Sequence, residues 1–180
     1  MESWVRDETV YEGRIVSLRV GEARLDDGTV VPREVVEHPG GVGVVPVLDD
    51  AVVLIRQYRI AIGRDVLEIP AGKLEGDEEP ESCGRRELEE ETGYRAGRMV
   101  AVGSYYASVG YSSEEYTLYL AFDLERVGQN LEHDERIETV RIPLDEAARR
   151  VAANELKDAK TVVALQALFD YLRRNPADGR

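Results

Sequence analysis

The sequence contains only one cysteine, Cys83, and two histidines, His38 and His133. A single cysteine excludes an internal disulfide and is typical of a reducing compartment, so we expect the protein to be cytoplasmic. A catalytic thiol is not favoured, because no histidine lies near Cys83 in the sequence to activate it. The chemistry must therefore be sought among other side chains.

Basic side chains are outnumbered by acidic ones, and long apolar runs are also lacking. The 180 residues include 36 acidic and 23 basic side chains, which gives a net charge of −13. An acidic surface argues against nucleic acid or an anionic membrane as a partner. No apolar run approaches the roughly 20 residues of a membrane helix, and the polar N-terminus lacks the apolar core of a signal peptide. A small phosphorylated substrate is still possible, because metal ions and a few arginines can reverse the local potential.

The residues 72–94, GKLEGDEEPESCGRRELEEETGY, form the most informative stretch. Pro80 suits the first turn of a helix, where its missing N–H costs nothing. Gly93 suits the left-handed residue that commonly ends a helix. These signals predict a helix from about Pro80 to Thr92.

Glu87, Glu90 and Glu91 fall on one face of this predicted helix, because residues three and four apart are neighbours about 5–6 Å apart. Like charges at that spacing repel and weaken a helix, unless a cation offsets the repulsion. Clustered carboxylate oxygens are the ligands that Mg²⁺ or Mn²⁺ prefers. The alternative is a solvated acidic face, which is the usual meaning of a charge run.

The rest of the chain predicts strands, followed by two closing helices. Residues 14–25 and 29–37 are β-rich, and the Asp27-Gly28 pair between them indicates a hairpin. We expect residues 1–40 to form a small N-terminal antiparallel sheet and residues 41–175 to form the main domain. Helices are predicted at residues 144–154 and 158–173, after a polar loop at residues 125–136. The pattern predicts a mixed α/β sandwich.

The stretch at residues 72–94 resembles the Nudix box, and its flanks are similar to the ADP-ribose pyrophosphatase branch of the Nudix family. The flanking segments are REVVEHPGGVGVVPVLDD, VVLIRQYRIAIG, VLEIPAGKLEGDE, SVGYSSEEYTLYLA and ELKDAKTVVALQAL. The resemblance implies an α/β/α Nudix sandwich with a mixed central sheet. It also implies a homodimer that exchanges its N-terminal sheets. The implied reaction is the Mg²⁺-dependent hydrolysis of ADP-ribose to AMP and ribose 5-phosphate.

The resemblance makes Glu87 and Glu91 the direct metal ligands, together with the main-chain carbonyl of Ala71. Glu90 is a further candidate ligand and catalytic carboxylate; its alternative is an ion pair with Arg86. The number of carboxylates is compatible with two or more metal ions. We expect Arg86 to hold the stretch together by pairing with a carboxylate such as Glu78.

Two glutamates outside the helix are candidates for the base that takes a proton from the attacking water. Glu114 follows a Gly-Tyr turn, and the family often has a glutamate there. Glu135 lies in the loop LEHDER, which resembles the mobile loop that carries the base in some relatives. Either residue could instead be a solvated loop carboxylate.

The predicted substrate contacts begin with Arg59, which ends a strand and could clamp phosphate oxygens. Its alternative is a surface salt bridge. Glu68 is expected to face the same site. Tyr111, which follows Gly110, could stack on a base or pack under its loop. Arg33 could reach the site of a partner subunit.

One residue departs from the pattern of the branch. Val109 stands where the branch usually has a proline that accompanies ADP-ribose preference. A hydrolase of another nucleotide sugar, such as GDP-mannose, is therefore an alternative. A non-catalytic sensor of ADP-ribose is a second alternative, but such modules typically lose the box carboxylates that this chain retains.

Overall fold

The computed structural model describes residues 1–179, and the chain separates into two compact units. The small unit consists of residues 1–40 and 106–115. The large unit consists of residues 41–105 and the chain from residue 116 onward. The segment 106–115 therefore belongs with the N-terminal residues, although it lies far from them in sequence.

A three-stranded antiparallel sheet forms most of the small unit, in the order β1-β2-β3. Its strands are β1 (Ser3–Glu12), β2 (Ser17–Arg24) and β3 (Val30–Glu37). The predicted turn between β2 and β3 is present: Gly28 has a φ of +87°, and Asp27 Oδ1 accepts a hydrogen bond from the amide of Thr29 at 2.9 Å. The N-terminal antiparallel sheet predicted from the sequence is thus confirmed.

The large unit is built on a seven-stranded mixed sheet. Its strands are β4 (Gly41–Leu48), β5 (Ala51–Arg59), β6 (Arg64–Glu68), β7 (Ala71–Lys73), β8 (Tyr94–Tyr106), β9 (Glu115–Arg126) and β10 (Ile137–Pro143). The order is β10-β5-β4-β9-β8, with β6 beside β5 and β7 beside β4. β4 and β9 are parallel, whereas β5 is antiparallel to β4, β6 and β10.

Helices cover both faces of this sheet. Apolar side chains of the buried strand β4 point alternately to the two faces, so each face needs a covering layer. Val42 and Val44 belong to one cluster with Leu88 of α1 (Pro80–Thr92). Val45 and Val47 belong to the other cluster, which includes α2 (Leu144–Ala152) and α3 (Ala159–Arg174). Each fully buried leucine or valine contributes roughly 1.5–3 kcal/mol. The predicted α/β/α sandwich is confirmed.

Two boundaries differ from the sequence prediction, which starts a strand at Met99 and a polar loop at residue 125. β8 begins at Tyr94, directly after the helix, because left-handed Gly93 turns the chain from α1 straight into the strand. β9 continues to Arg126, so the loop predicted from residue 125 starts two residues later. Both differences extend strands that pair in the central sheet. Within residues 1–179, no helix is both long and apolar enough to cross a membrane.

Candidate active site

The site is centred on the contact between helix α1 and the turn that precedes it. Pro80 begins the helix, and Gly93 ends it with a φ of +74°, donating its amide to Glu89 O at 2.9 Å. The helix thereby directs one side of its last two turns toward Ala71 and Gly72. Its bounds match the helix predicted from the sequence.

Glu87 and Glu91 both lie against this turn. Glu91 is only 3% exposed, and its Oε2 accepts a hydrogen bond from the amide of Ala71 at 2.8 Å. Glu87 lies directly over Gly72: a Cβ at residue 72 would be 1.9 Å from Glu87 Oε1. The glycine therefore allows the carboxylate to lie here, because any side chain at residue 72 would displace it.

The two carboxyl groups are held in an environment that disfavours their charge. Burial raises the pKa of Glu91 to about 8, against the hydrogen bond from Ala71, and the charges of Glu87 and Glu135 add to the increase. Burial also raises the pKa of Glu87, although Arg86 opposes that shift. Buried, mutually repelling carboxylates at a surface-accessible turn are typical of functional sites.

Arg86 forms the ionic centre of the neighbouring turn of α1. Its guanidinium donates to Glu78 Oε1 and Oε2 at 3.1 and 3.0 Å, to Glu87 Oε1 at 2.7 Å and to Glu90 Oε2 at 3.1 Å. The expected Arg86–Glu78 pair is present. Glu90 forms an ion pair with Arg86, which is the predicted alternative to metal binding.

The loop that carries Glu135 is attached to the C-terminal end of α1. The amide of Asn130 donates to Glu90 O at 3.0 Å, and Gln129 Nε2 donates to Glu91 O at 2.6 Å. These bonds satisfy carbonyls that a helix end leaves without internal partners. Glu135 is partly buried and raises the pKa values of Glu87 and Glu91, so its charge faces that pair. No sequence signal points to Gln129, because an amide in a polar loop has no distinctive pattern.

Arg59 belongs to a partly buried ion network. It donates from Nε and Nη2 to the two oxygens of Glu68, at 2.7 and 3.1 Å. Lys160 Nζ lies 2.5 Å from Glu68 Oε2 and 3.0 Å from Asp158 Oδ2. Burial alone would raise the pKa of Glu68, but Arg59 and Lys160 outweigh that effect and lower it. Lys160 is not among the site residues predicted from the sequence. The signal that could have indicated it is the largely polar segment 157–161, which lies at the start of an apolar helix.

The remaining predicted residues lie in the small unit. Glu114 Oε1 lies 3.8 Å from His38 Nε2. His38 Nδ1 accepts the amide of Gly40 at 3.0 Å, so its Nε2 carries the proton that faces Glu114. Tyr111, beside Gly110, is exposed, and its carbonyl accepts the amide of Val36 at 2.7 Å. Arg33 pairs with Glu2 at 2.7 Å.

The residues at the turn suit a divalent metal in charge and chemistry. Glu91 and the partly buried Glu87 supply carboxylate oxygens, and a cation would offset both the burial and the repulsion that raise their pKa values. Within residues 1–179, however, no group of three or more His, Cys, Asp or Glu side chains could hold a metal ion in its present arrangement. In this arrangement Glu87 Oε1 is bonded to Arg86.

Comparison with known proteins identifies the family. A NUDIX domain model matches residues 37–165. The ADP-ribose pyrophosphatase of Bacillus subtilis (strain 168) is 38% identical over 170 residues, covering 93% of this chain and 92% of that protein. The GDP-mannose pyrophosphatase of Cronobacter sakazakii is 39% identical over 179 residues, covering 91% and 93%. The chain belongs to the Nudix family.

Two further relatives agree with this assignment. The ADP-ribose pyrophosphatase of Mycobacterium tuberculosis is 34% identical over 168 residues, covering 91% of this chain and 81% of that protein. A solved structure described as an ADP compounds hydrolase superposes with a TM-score of 0.86 over 97% of this chain and 95% of that one. At 23% identity, that similarity establishes the fold alone. The resemblance to the ADP-ribose pyrophosphatase branch is confirmed.

Proposed function

We propose that the protein is a metal-dependent pyrophosphohydrolase that cleaves the diphosphate of ADP-ribose, or of a related ADP-sugar. The products from ADP-ribose would be AMP and ribose 5-phosphate. One observation carries the proposal: buried Glu91 and partly buried Glu87 lie together against the turn at residues 71–72, in a chain whose relatives include named ADP-ribose pyrophosphatases. Bringing two carboxylates together in this way lowers the stability of the fold, and a catalytic role accounts for the arrangement.

Mg²⁺, or Mn²⁺ in its place, would be held by Glu87, Glu91 and the carbonyl of Ala71, with Glu90 as a further candidate. Bound there, a divalent ion would neutralise phosphate oxygens and lower the pKa of a coordinated water. The number of carboxylates supports two or more ions. Arg86, itself held by Glu78, would keep Glu87 oriented toward the turn through its bond to Oε1.

Glu135 is the favoured general base. Its charge already acts on both Glu87 and Glu91, and its loop is hydrogen-bonded to the end of α1. The carboxylate would accept a proton from water as the water oxygen attacks phosphorus and the bridging P–O bond breaks. Glu114 is the second candidate, and its neighbour His38 presents a proton to it.

Arg59 is the candidate for binding the diphosphate, because its side chain is 40% exposed while one edge of its guanidinium is held by Glu68. Arginine forms charge-assisted hydrogen bonds with phosphate oxygens in a fixed geometry. The residues Gly110, Tyr111 and Arg33 are the predicted substrate contacts in the small unit. We further propose that the enzyme is a cytoplasmic homodimer in which the N-terminal sheets form the dimer contact.

Hydrolysis of GDP-mannose is the second candidate. The GDP-mannose pyrophosphatase of Cronobacter sakazakii is 39% identical, and the ADP-ribose pyrophosphatase of Bacillus subtilis is 38% identical. Identity therefore does not separate the two substrates. Val109, which stands where the ADP-ribose branch usually has a proline, is 82% exposed.

The experiment is a substrate panel with Mg²⁺ and then with EDTA. ADP-ribose, ADP-glucose, GDP-mannose, NADH and diadenosine polyphosphates are incubated with the protein, and released nucleotide is measured by chromatography. Fast, EDTA-sensitive release of AMP from ADP-ribose supports the proposal. Preferential release of GMP from GDP-mannose would show that the proposed substrate is wrong and the proposed type of reaction is right. Binding of ADP-ribose without turnover of any compound would favour the sensor.

A further inference from the structure

Glu68 is a buried carboxylate that contacts two cations. Its side chain is 4% exposed; Arg59 binds both of its oxygens, and Lys160 binds Oε2 as well. A carboxylate removed from water in this way is strongly destabilising unless a cation compensates it. Because two cations bind Glu68, one of them can move away while the other still neutralises the carboxylate.

The two cations differ in how firmly they are held. Lys160 is 11% exposed, and Asp158 Oδ2 also binds it at 3.0 Å. Asp158 is itself fixed, because it caps α3 by accepting the amide of Thr161 at 3.0 Å. Arg59 is 40% exposed, ends strand β5 and has Glu68 as its hydrogen-bond partner on two nitrogens. Lys160 is thus the fixed partner of Glu68, and Arg59 is the partner able to move.

We propose that Lys160 is a positioning residue that allows Arg59 to leave Glu68 and bind the diphosphate of the substrate. The inference rests on the proposed function, in which Arg59 contacts phosphate oxygens. When the guanidinium turns toward an anionic ligand, Lys160 continues to neutralise Glu68. Without Lys160, the same movement would leave a buried carboxylate with no cation, so Arg59 would stay bound to Glu68 and the substrate would bind weakly.

Four variants test this: Lys160→Met, Lys160→Arg, Lys160→Met/Glu68→Gln and Lys160→Met/Glu155→Gln. The two double variants have the same net charge, but only the first neutralises the partner of Arg59; Glu155 is an exposed carboxylate that pairs with Arg149. Thermal unfolding first verifies that each variant is folded. KM and kcat are then measured for ADP-ribose with Mg²⁺, and Kd for ADP-ribose is measured by calorimetry in EDTA.

Lys160→Met is expected to raise KM and Kd by about tenfold and to change kcat by less than about threefold, because the loss is in ground-state binding. Lys160→Arg keeps the cation and is expected to stay within about threefold of the wild type in KM. Glu68→Gln in the Lys160→Met background should restore KM, because the amide no longer holds Arg59. Glu155→Gln should not restore it.

An unchanged KM and Kd in Lys160→Met would overturn the inference, as would equal rescue by Glu68→Gln and Glu155→Gln, which would indicate a general charge effect. These results leave the proposed function intact if the wild type hydrolyses ADP-ribose. Conversely, a wild type without turnover but with Lys160-dependent binding would refute the hydrolase and support the inference. A wild type that neither cleaves nor binds ADP-ribose would refute both.

Discussion

The amide of Ala71 donates a hydrogen bond to Glu91 Oε2 at 2.8 Å, so the turn before the helix and the carboxylate at its end are directly joined. Twenty residues separate them in sequence, yet the bond holds the Glu91 carboxylate beside the main chain of Ala71. Glu87 lies over the next residue, Gly72. The position of both carboxylates therefore depends on the main chain at residues 71 and 72.

Gly72→Ala should reduce activity while leaving the fold intact. The new Cβ would lie 1.9 Å from Glu87 Oε1 and 2.0 Å from its Cδ, so Glu87 must rotate away. Displacement of a catalytic group by about 1 Å can cost roughly 100-fold in rate, and we expect a decrease of that order in kcat/KM. Gly179→Ala is the control, because its Cβ meets Leu172 at 3.4 Å, an ordinary contact. Equal activities of the two variants would contradict the account.

The metal-free protein should lose stability as pH rises, and Glu91 should be a main cause. Its pKa is raised from 4.5 to about 8 in the folded state, so between these values the native state binds more protons than the unfolded state. The free energy of unfolding then falls with increasing pH across that range. Stability contributed by the protonated group is fully present below pH 4.5 and is lost above about pH 8.

Glu91→Gln removes this dependence, because the amide stays neutral. In EDTA, urea denaturation should show the variant to be more stable than the wild type at pH 8.5, by on the order of 2–4 kcal/mol. The difference should shrink toward pH 5. Identical slopes of unfolding free energy against pH in the two proteins would exclude Glu91 as the titrating group.

Thr161→Val should destabilise the large unit. Thr161 is fully buried; its Oγ1 accepts the amide of Ile69 at 2.8 Å and donates to Asp158 Oδ2 at 2.5 Å. Valine has a similar shape but leaves the Ile69 amide unsatisfied, which costs about 1–3 kcal/mol. Thr161→Ser retains the hydroxyl and serves as the control. A midpoint of urea denaturation for Thr161→Val equal to that of the wild type would refute this role.

Gln129→Ala should loosen the loop that carries Glu135, although the backbone bond from Asn130 to Glu90 O remains. The side-chain amide of Gln129 bonds to Glu91 O at 2.6 Å, at the end of α1. Its loss should increase hydrogen exchange in residues 127–136 and lower kcat by about tenfold, since a positioned base contributes roughly 100-fold or more. The affinity for Mn²⁺ should stay unchanged. Gln166→Ala, on an exposed position of α3, is the control; no difference between these two variants would argue against anchoring by Gln129.

The parts of the fold that local signals determine were predictable from the sequence. Helix α1 agrees at both ends, because Pro80 and Gly93 act within their own turns. The Lys160–Glu68 contact joins residues 92 apart, and no local pattern indicates which strand end faces the start of α3. For the same reason the sequence predicts a surface salt bridge as the alternative for Arg59, whereas its partner is the buried carboxylate of Glu68. Long-range ion pairs depend on the tertiary fold, and the periodicity of apolar residues in the sequence does not predict which residues the fold brings together.

The measurement that tests the central claim most directly is the rate of AMP release from ADP-ribose by the wild type, Glu91→Gln and Glu81→Gln. Glu81 lies on the same helix and pairs with Arg85 on an exposed side, so its variant controls for loss of charge from α1. With Mg²⁺, we predict wild-type rates for Glu81→Gln and a loss of at least about 1,000-fold for Glu91→Gln. EDTA should abolish turnover in all three proteins. Wild-type, EDTA-sensitive turnover by Glu91→Gln would contradict the assignment of the active site.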